Sequence, residues 1–136
     1  MIQPIMKDIL FLGQKSVPAT KADFSVAQDL LDTLSANADR CVGMAANMIG
    51  VLKRIIVYRC EAGNIVMFNP EIVASSEPYE TEEGCLSLVG TRKTRRFRTI
   101  EVSYRDANFR ARRQVFTDFT AQIIQHEIDH CNGVII

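Results

Sequence analysis

The sequence predicts an α+β fold: antiparallel β-sheets around a central C-terminal helix, with one further helix near the N-terminus. Three observations carry this. Phe24, Ala27, Leu30, Leu31 and Leu34 recur at helical spacing. Between Arg54 and Phe116, β-branched and aromatic runs are separated by turn signals, the pattern of hairpin-connected strands. The chain then returns to helical character and carries Gln125-His126-Glu127-Ile128-Asp129-His130 near its end.

Taken in order, Met1 to Thr20 reads as an irregular arm with short apolar pieces and Pro18. The first helix begins at Ala22-Asp23-Phe24, with Asp23 as its cap, and fades near Asn37 to Arg40. Its apolar stripe is core packing. Cys41 to Gly50 is small and apolar, which suits a loop or short strand where backbone approaches a neighbour closely, or a tight turn under the first helix. Arg54 to Cys60 is a strand, Glu61-Ala62-Gly63-Asn64 a turn, and Ile65 to Asn69 the returning strand. Pro70 interrupts it, Ile72-Val73 continue, and Pro78 to Glu82 form another strand. Arg92, Lys93, Arg95, Arg96 and Arg98 read as a solvated loop and edge strand, where charge discourages aggregation. Phe97 to Tyr104 alternates as a strand, Arg105 to Phe109 turns, and Arg110 to Phe116 returns. Asp118 caps the final helix, Phe119 to about Cys131, and Gly133 ends it. Phe119, Ile123 and Ile124 give that helix an apolar side to bury against the sheet.

Composition narrows the class. A chain of 136 residues is expected to form a single domain spanning residues 1–136, long enough for a real core. Apolar content of 47% and charged content of 24% match an ordinary globular protein, and zero net charge offers nothing to a membrane surface or a nucleic acid. No secretory signal is expected, because Lys7 and Asp8 interrupt the opening apolar residues. No stretch approaches a membrane span. The four cysteines therefore read as reduced thiols of a cytoplasmic protein.

The chemistry concentrates at His126-Glu127-Ile128-Asp129-His130, an H-E-x-x-H pattern holding both histidines of the chain. Residues four apart on a helix sit about 40° apart around the axis and roughly 6 Å apart along it, so both imidazoles can grip one metal ion. Glu127, beside them, can reach a water on that ion. Two histidines and an acid on a helix can also be a hydrogen-bonded surface or a satisfied core pair. A third ligand separates these readings. Only six residues follow His130, and Cys131 points to another face, so the ligand is expected from upstream. Cys85 in Glu83-Gly84-Cys85-Leu86-Ser87 is the best candidate. A Cys-His-His set leaves a fourth position open, as a catalytic site requires. One sulfur and two nitrogens suit zinc, iron or nickel.

Glu83-Gly84-Cys85-Leu86-Ser87 and Gln125-His126-Glu127-Ile128-Asp129-His130 resemble the second and third signature motifs of the peptide deformylases, and Val42-Gly43-Met44-Ala45-Ala46-Asn47-Met48-Ile49-Gly50 resembles the first. They stand in the family's order. Two positions depart from the pattern: Met48 replaces a glutamine and Cys41 a glycine. The resemblance implies a deformylase-like fold and removal of the formyl group from N-formyl-methionyl peptides, releasing formate. It implies one divalent ion, ferrous in most of the family and often replaced by zinc. It makes Cys85, His126 and His130 the ligands, Glu127 the proton carrier, and the Leu86 N–H a donor to the formyl oxygen. Val42, Gly43 and Met44 would form one wall of the substrate groove, where a peptide adds as a strand. Arg92 would hold the peptide main chain or a carboxylate. Val42, Phe119 and Ile123 would line the methionine pocket, or serve as plain core. A transient visit to the ribosome follows from such a substrate; a membrane or a specific nucleic acid does not.

Met48 has a consequence of its own. A thioether donates no hydrogen bond, and losing one donor to a developing oxyanion costs on the order of 100–1,000-fold in rate. Gln122 lies four residues before His126 and is expected either to turn its amide toward the metal pocket in place of the missing donor or only to line the rim. Three function classes follow: an active deformylase, a metal-bound relative with weak activity or another formyl or amide substrate, and a non-catalytic module that binds a peptide terminus. Asp129 reads as a residue that orients a ligand from behind, or as solvent-exposed.

Overall fold

The computed structural model describes residues 1–136. The elements in chain order are α1 (Ile9–Leu12), a 3-10 turn (Lys21–Asp23), α2 (Phe24–Ala36), β1 (Gly43–Ala45), a second 3-10 turn (Ala46–Ile49), β2 (Ile55–Cys60), β3 (Gly63–Gly84), β4 (Thr91–Arg105), β5 (Ala111–Thr117) and α3 (Asp118–Cys131). The strands form one sheet in the order β1-β2-β3-β4-β5, each antiparallel to its neighbour. No helix is long and apolar enough to cross a membrane.

Alternation along β2 explains the layering. Ile55 and Val57 point to one face and pack with Leu30 and Leu34 of α2. Ile56 and Tyr58 point to the other and pack with Ile123, Ile124 and Ile128 of α3. Both faces are covered, so Ile55-Ile56-Val57-Tyr58 are all buried and the run carries no polar residue. Met44 and Ala45 of β1, and Phe68 and Met67 of β3, divide between the same two cores. The sheet is thus a shared wall between α2 and α3.

Several elements differ from the sequence reading. The arm contains α1, a single turn whose start is capped by Asp8 accepting from the Leu10 N–H at 2.9 Å. Asp23 stands at the cap position of α2 but makes no side-chain cap bond to it. Its carboxylate accepts the Thr20 N–H at 2.8 Å, in a reciprocal box with Thr20 around the 3-10 turn. Phe24 is half exposed rather than core, and meets Phe68 edge-on at 5.5 Å.

Pro70 does not break the strand. β3 runs through it because the register with β4 slips between Phe68 and Glu71 and again between Ile72 and Ala74. In a bulge a residue needs no ladder partner, so the missing N–H of proline costs little there. Asn69 takes a left-handed φ of 52° at that point and clamps Ala19, accepting its N–H at 2.7 Å and donating to its carbonyl at 3.0 Å.

β4 is not an edge strand along its whole length. Thr99 to Arg105 is flanked by β5, whereas Thr91 to Arg98 has β3 on one side only. There the freed backbone is taken up by α3. The Gln125 amide accepts the Phe97 N–H at 2.9 Å and donates to the Phe97 carbonyl at 2.8 Å, as a further strand would.

α3 leaves β5 through a left-handed Asp118 (φ 56°), with Thr117 at the cap position and no side-chain cap. Asp118 is therefore the first helical residue rather than the cap. The far end closes as expected at Gly133, whose N–H bonds to His130 O at 3.0 Å while Val134 N–H reaches Asp129 O at 2.9 Å. Gly133 has φ 73°, and a Cβ there would stand 2.6 Å from the Gly13 carbonyl oxygen. Gly133→Ala is expected to cost about 2 kcal/mol or more, since a left-handed alanine alone costs roughly 1–2 kcal/mol and the backbone clash adds to it. Urea unfolding of the variant beside the parent measures this.

Candidate metal centre and substrate cleft

Cys85 follows the last residue of β3, and His126 and His130 lie one turn apart on α3. The hairpin and the helix bring the three together. Cys85 Sγ is 3.3 Å from His130 Nε2, which is 3.1 Å from His126 Nε2. All three ligand atoms lie within 4.8 Å of one another. The structure thus brings together the predicted Cys-His-His set, and the donors fit a divalent ion: one sulfur and two imidazole nitrogens face a common point. Lone pairs on two nitrogens this close repel unless a proton or a cation lies between them. Burial pushes His130 down to about 3, whereas Cys85 and Glu83 outweigh burial at His126 and hold it up at about 10.

Glu127 is buried one residue along the helix, and its Oε1 has no hydrogen-bond partner. Burial raises its carboxyl to about 7, against the pull of His126. Gly43 of β1 makes room for it. A Cβ on Gly43 would come within 2.6 Å of Ile123 Cγ2 and 2.9 Å of Glu127 Oε2.

Cys85, His126 and Glu127 open onto a cleft of about 250 Å³, whose walls include Val42, Gly43, Leu86, Phe119 and Ile123. Phe119 is 59% exposed, so it is a cleft wall rather than core. Val42 is also partly exposed, while Ile123 is buried beneath them. Met44 is different. Its side chain is fully buried on the opposite face of the sheet and does not line the cleft, because alternation along β1 turns it toward α2. Arg92 does not line the cleft either. It pairs across the hairpin from Glu83, with Nη2 3.5 Å from the Val89 carbonyl, and is absent from the cleft walls.

The arginine at the centre is Arg96, which the sequence reading assigned to a solvated run. It is 4% exposed. Its guanidinium donates to Glu83 Oε1 at 2.7 Å from Nη2 and Oε2 at 2.9 Å from Nε, and to Asp129 Oδ2 at 2.7 Å from Nη1. Asp129 is therefore an ion-pair partner of Arg96, tied to the centre from behind. Glu83 in turn sits 2.7 Å from His126 Nδ1. Burial would raise the Glu83 carboxyl, but His126 and Arg96 overcome it and hold it down at about 2. Sequence reasoning quoted Glu83 only as a flank of the cysteine motif. Nothing in its local pattern separates it from Glu80 or Glu82. Asn47 was also missed: it donates from Nδ2 to the His130 carbonyl at 3.0 Å, tying the first motif to the last turn of α3.

Met48 is buried and lines the cleft. Gln122 lines it too, but its amide is engaged at both ends. Nε2 donates to Glu83 Oε2 at 2.9 Å, and Oε1 accepts from the Tyr79 hydroxyl at 3.3 Å. All four cysteines are free thiols.

The model of the polypeptide deformylase family matches residues 2–136. A peptide deformylase of Clostridium beijerinckii is 62% identical over the full length of both chains. One from Synechocystis is 38% identical, spanning 93% of this chain and 75% of its own. Among solved structures, a class I type b peptide deformylase from Acinetobacter baumannii, with Met-Ala-Ser bound, gives a TM-score of 0.88 at 28% identity, covering 99% of this chain and 97% of that one. The enzyme of Vibrio parahaemolyticus bacteriophage VP16T, in complex with actinonin, gives 0.88 at 31% identity, covering 98% and 100%. With all three motifs folded to one place and a match along nearly its entire length, this chain belongs to the polypeptide deformylase family.

Proposed function

We propose that Cys85, His126 and His130 hold one divalent metal ion, and that Glu127 carries the proton as the chain removes the formyl group from N-formyl-methionyl polypeptides. The reaction class follows from the family: hydrolysis of a formamide. One observation supports the residue roles above all. Three metal donors converge, and two of them, Cys85 and His126, line an open cleft together with Glu127, whose Oε1 is unpartnered. In this reading residues 1–136 act as one catalytic domain.

When bound, a divalent ion supplies Lewis acidity, which lowers the pKa of a coordinated water from about 16 toward 7. Ferrous iron is our assignment, and zinc or nickel suits the same donors. Glu127 accepts a proton from the attacking water. The water oxygen bonds to the formyl carbon, the carbon–nitrogen bond breaks, and Glu127 passes the proton to the leaving nitrogen. Formate and a free α-amine are the products. Charge building on the formyl oxygen meets the N–H of Leu86, which makes no backbone hydrogen bond in its own loop. Val42, Phe119 and Ile123 supply an apolar wall for the methionine side chain. β1 is the outermost strand, so the backbone from Val42 to Met44 offers an edge on which a peptide can add as a strand. Arg92 pairs with Glu83 across the hairpin without lining the cleft, and is left to the part of a longer peptide beyond the reacting end. Such a substrate places the protein in the cytoplasm, meeting chains as they leave the ribosome.

Met48 favours slow turnover, because only one donor to the oxyanion is assigned. A non-catalytic peptide-binding module would have no use for the buried, unpartnered Glu127.

Formate release from formyl-Met-Ala-Ser, measured without oxygen on iron-loaded protein, tests the reading. Glu127→Gln should lower kcat by at least about 100-fold while the metal content stays at one per chain. Turnover near that of the parent would remove Glu127 from its role, and a parent chain that binds no metal would remove the ligand assignment. Gly43→Ala should push Glu127 out of line and cost about 100-fold in kcat with metal retained. Met48→Gln should raise kcat, by about 100-fold if the new amide reaches the formyl oxygen. An unchanged kcat would mean that position 48 does not face the reacting carbonyl.

A further inference from the structure

We infer that the Cys41 thiol controls how a peptide docks in the cleft: it caps the Gly43 carbonyl, an edge acceptor that an added strand needs, and must turn aside before a peptide N–H can take its place. The inference rests on the deformylase reading above. It adds a residue that sets affinity for the substrate from beside the reacting bond.

The register of β1 decides which backbone groups are free. The Val42 carbonyl accepts the Arg59 N–H at 2.8 Å, and Gly43 stands opposite Tyr58. Bonded and non-bonded residues alternate along an antiparallel pair, so the N–H and C=O of Gly43 point away from β2. β1 is the outermost strand, and no strand lies on that side. The cleft does. Val42 and Gly43 form part of one wall, and residues 82–86, at the end of β3 and just beyond it, form part of the other. A peptide lying between them would meet the free edge of Gly43. Gly43 also stands against the buried Glu127, whose Oε2 would be 2.9 Å from a Cβ at that position. An amide bonded to the Gly43 carbonyl would lie beside that carboxylate.

The acceptor is already occupied. Cys41, itself a wall of the cleft, donates from Sγ to the Gly43 carbonyl at 2.8 Å. A thiol is a weak donor, so an amide N–H can replace it. Burial and the charge of Glu127 push the thiol up to about 11, so it keeps the proton it donates. The backbone of Cys41 is held while its side chain is not. Arg59 donates to the Cys41 carbonyl at 3.4 Å and to that of Ala38 at 3.1 Å, whereas the thiol bonds only to Gly43. Rotation about the Cα–Cβ bond is enough to uncover the carbonyl. Cys41 is one of the two positions where this chain departs from the pattern of the first motif, and the glycine of that pattern has no side chain to place there. An incoming peptide gains one neutral hydrogen bond and the chain gives up another. The exchange precedes attack on the formyl carbon, so its cost falls on KM rather than kcat.

The test reads binding as well as turnover. Zinc-loaded parent, Cys41→Ala and Cys41→Ser are titrated with Met-Ala-Ser by calorimetry, and KM and kcat are measured separately with formyl-Met-Ala-Ser on iron-loaded protein without oxygen. Cys41→Ala frees the carbonyl and should lower both Kd and KM by about 3–10-fold, with kcat changed by less than about twofold. Cys41→Ser keeps a donor at the position and should bind no more tightly than the parent. Raman difference spectra of the parent give a reading that does not depend on Cys41→Ala folding. Adding Met-Ala-Ser should move one S–H stretching band, absent from Cys41→Ser, to the frequency of a free thiol. Three results would each overturn the inference: a Kd and KM for Cys41→Ala equal to or above the parent's, a Cys41→Ser protein that binds as tightly as Cys41→Ala, or S–H bands that stay in place as the peptide binds. A parent that neither binds Met-Ala-Ser nor releases formate would overturn the deformylase reading itself, a different failure from a variant that binds as its parent does.

Discussion

The architecture depends on burying the polar face of α3. Gln125, His126, Glu127 and His130 are all withdrawn from solvent. A buried polar group left without a partner costs on the order of 1–3 kcal/mol. Each residue meets this demand differently. Gln125 completes the open edge of β4 at Phe97. His126 takes Glu83, and His130 takes the thiol and the neighbouring ring. Only Glu127 keeps an oxygen with no partner, and that oxygen lies beside the cleft. On this face of α3 the unmet demand is gathered on one atom, at the cleft where the proposed reaction would take place. A site arranged in this way need not reorganise when charge develops.

The sheet supplies the other half of the constraint. Its β1–β3 part is pinned between α2 and α3, with each residue of Ile55 to Tyr58 committed to one core or the other. After bulges around Pro70, β3 continues with β4, first with β5 alongside and then, from Pro78 to Gly84, as a two-stranded ribbon. This part of the sheet has little core of its own, and its β3 side chains from Ala74 to Tyr79 are mostly exposed. What returns its far end to α3 is polar: the Gln125 clamp, the Arg96 ion pairs and the tie from Glu83 to His126. Breaking one partner of a buried charged set is far more damaging than replacing the whole set with apolar residues. The Glu83–Arg96–Asp129 group therefore contributes more to a unique placement of Cys85 than to net stability.

Much of this was legible in the sequence because it depends on local period. The stripe from Ala27 to Leu34, the hairpins and the two histidines four apart each follow from spacing alone, and Cys85 follows from the need for a third donor. What was hidden is long-range or exceptional. Pro70 signals a break, yet a slipped register absorbs it. Arg96 belongs by composition to a solvated run, and only tertiary structure turns it inward to Glu83. Met44 sits in the right motif, but alternation on β1 sends its side chain away from the cleft. Phe119 had the helical phase of a core residue, and its exposure in the structure makes it a wall. Asp118 has the chemistry of a cap, but the chain needs a left-handed corner there and Thr117 takes the cap position.

Gln122 brings the two halves of the centre into competition. Its place on the helical row of the histidines suggested an amide free to replace the donor that Met48 lacks. In the folded chain that amide is pinned by Tyr79 on one side and Glu83 on the other. To swing toward a formyl oxygen it would have to release Glu83, the carboxylate bonded to His126 Nδ1. In the proposed reading, holding Glu83 and serving the oxyanion exclude each other at this residue. In the proposed reading the two functions separate physically: the contacts around Glu83 act on how well Cys85, His126 and His130 hold a cation, whereas position 48 acts on the barrier to hydrolysis. A chain with a thioether at 48 and an intact Glu83 clamp would then hold its metal and turn over slowly.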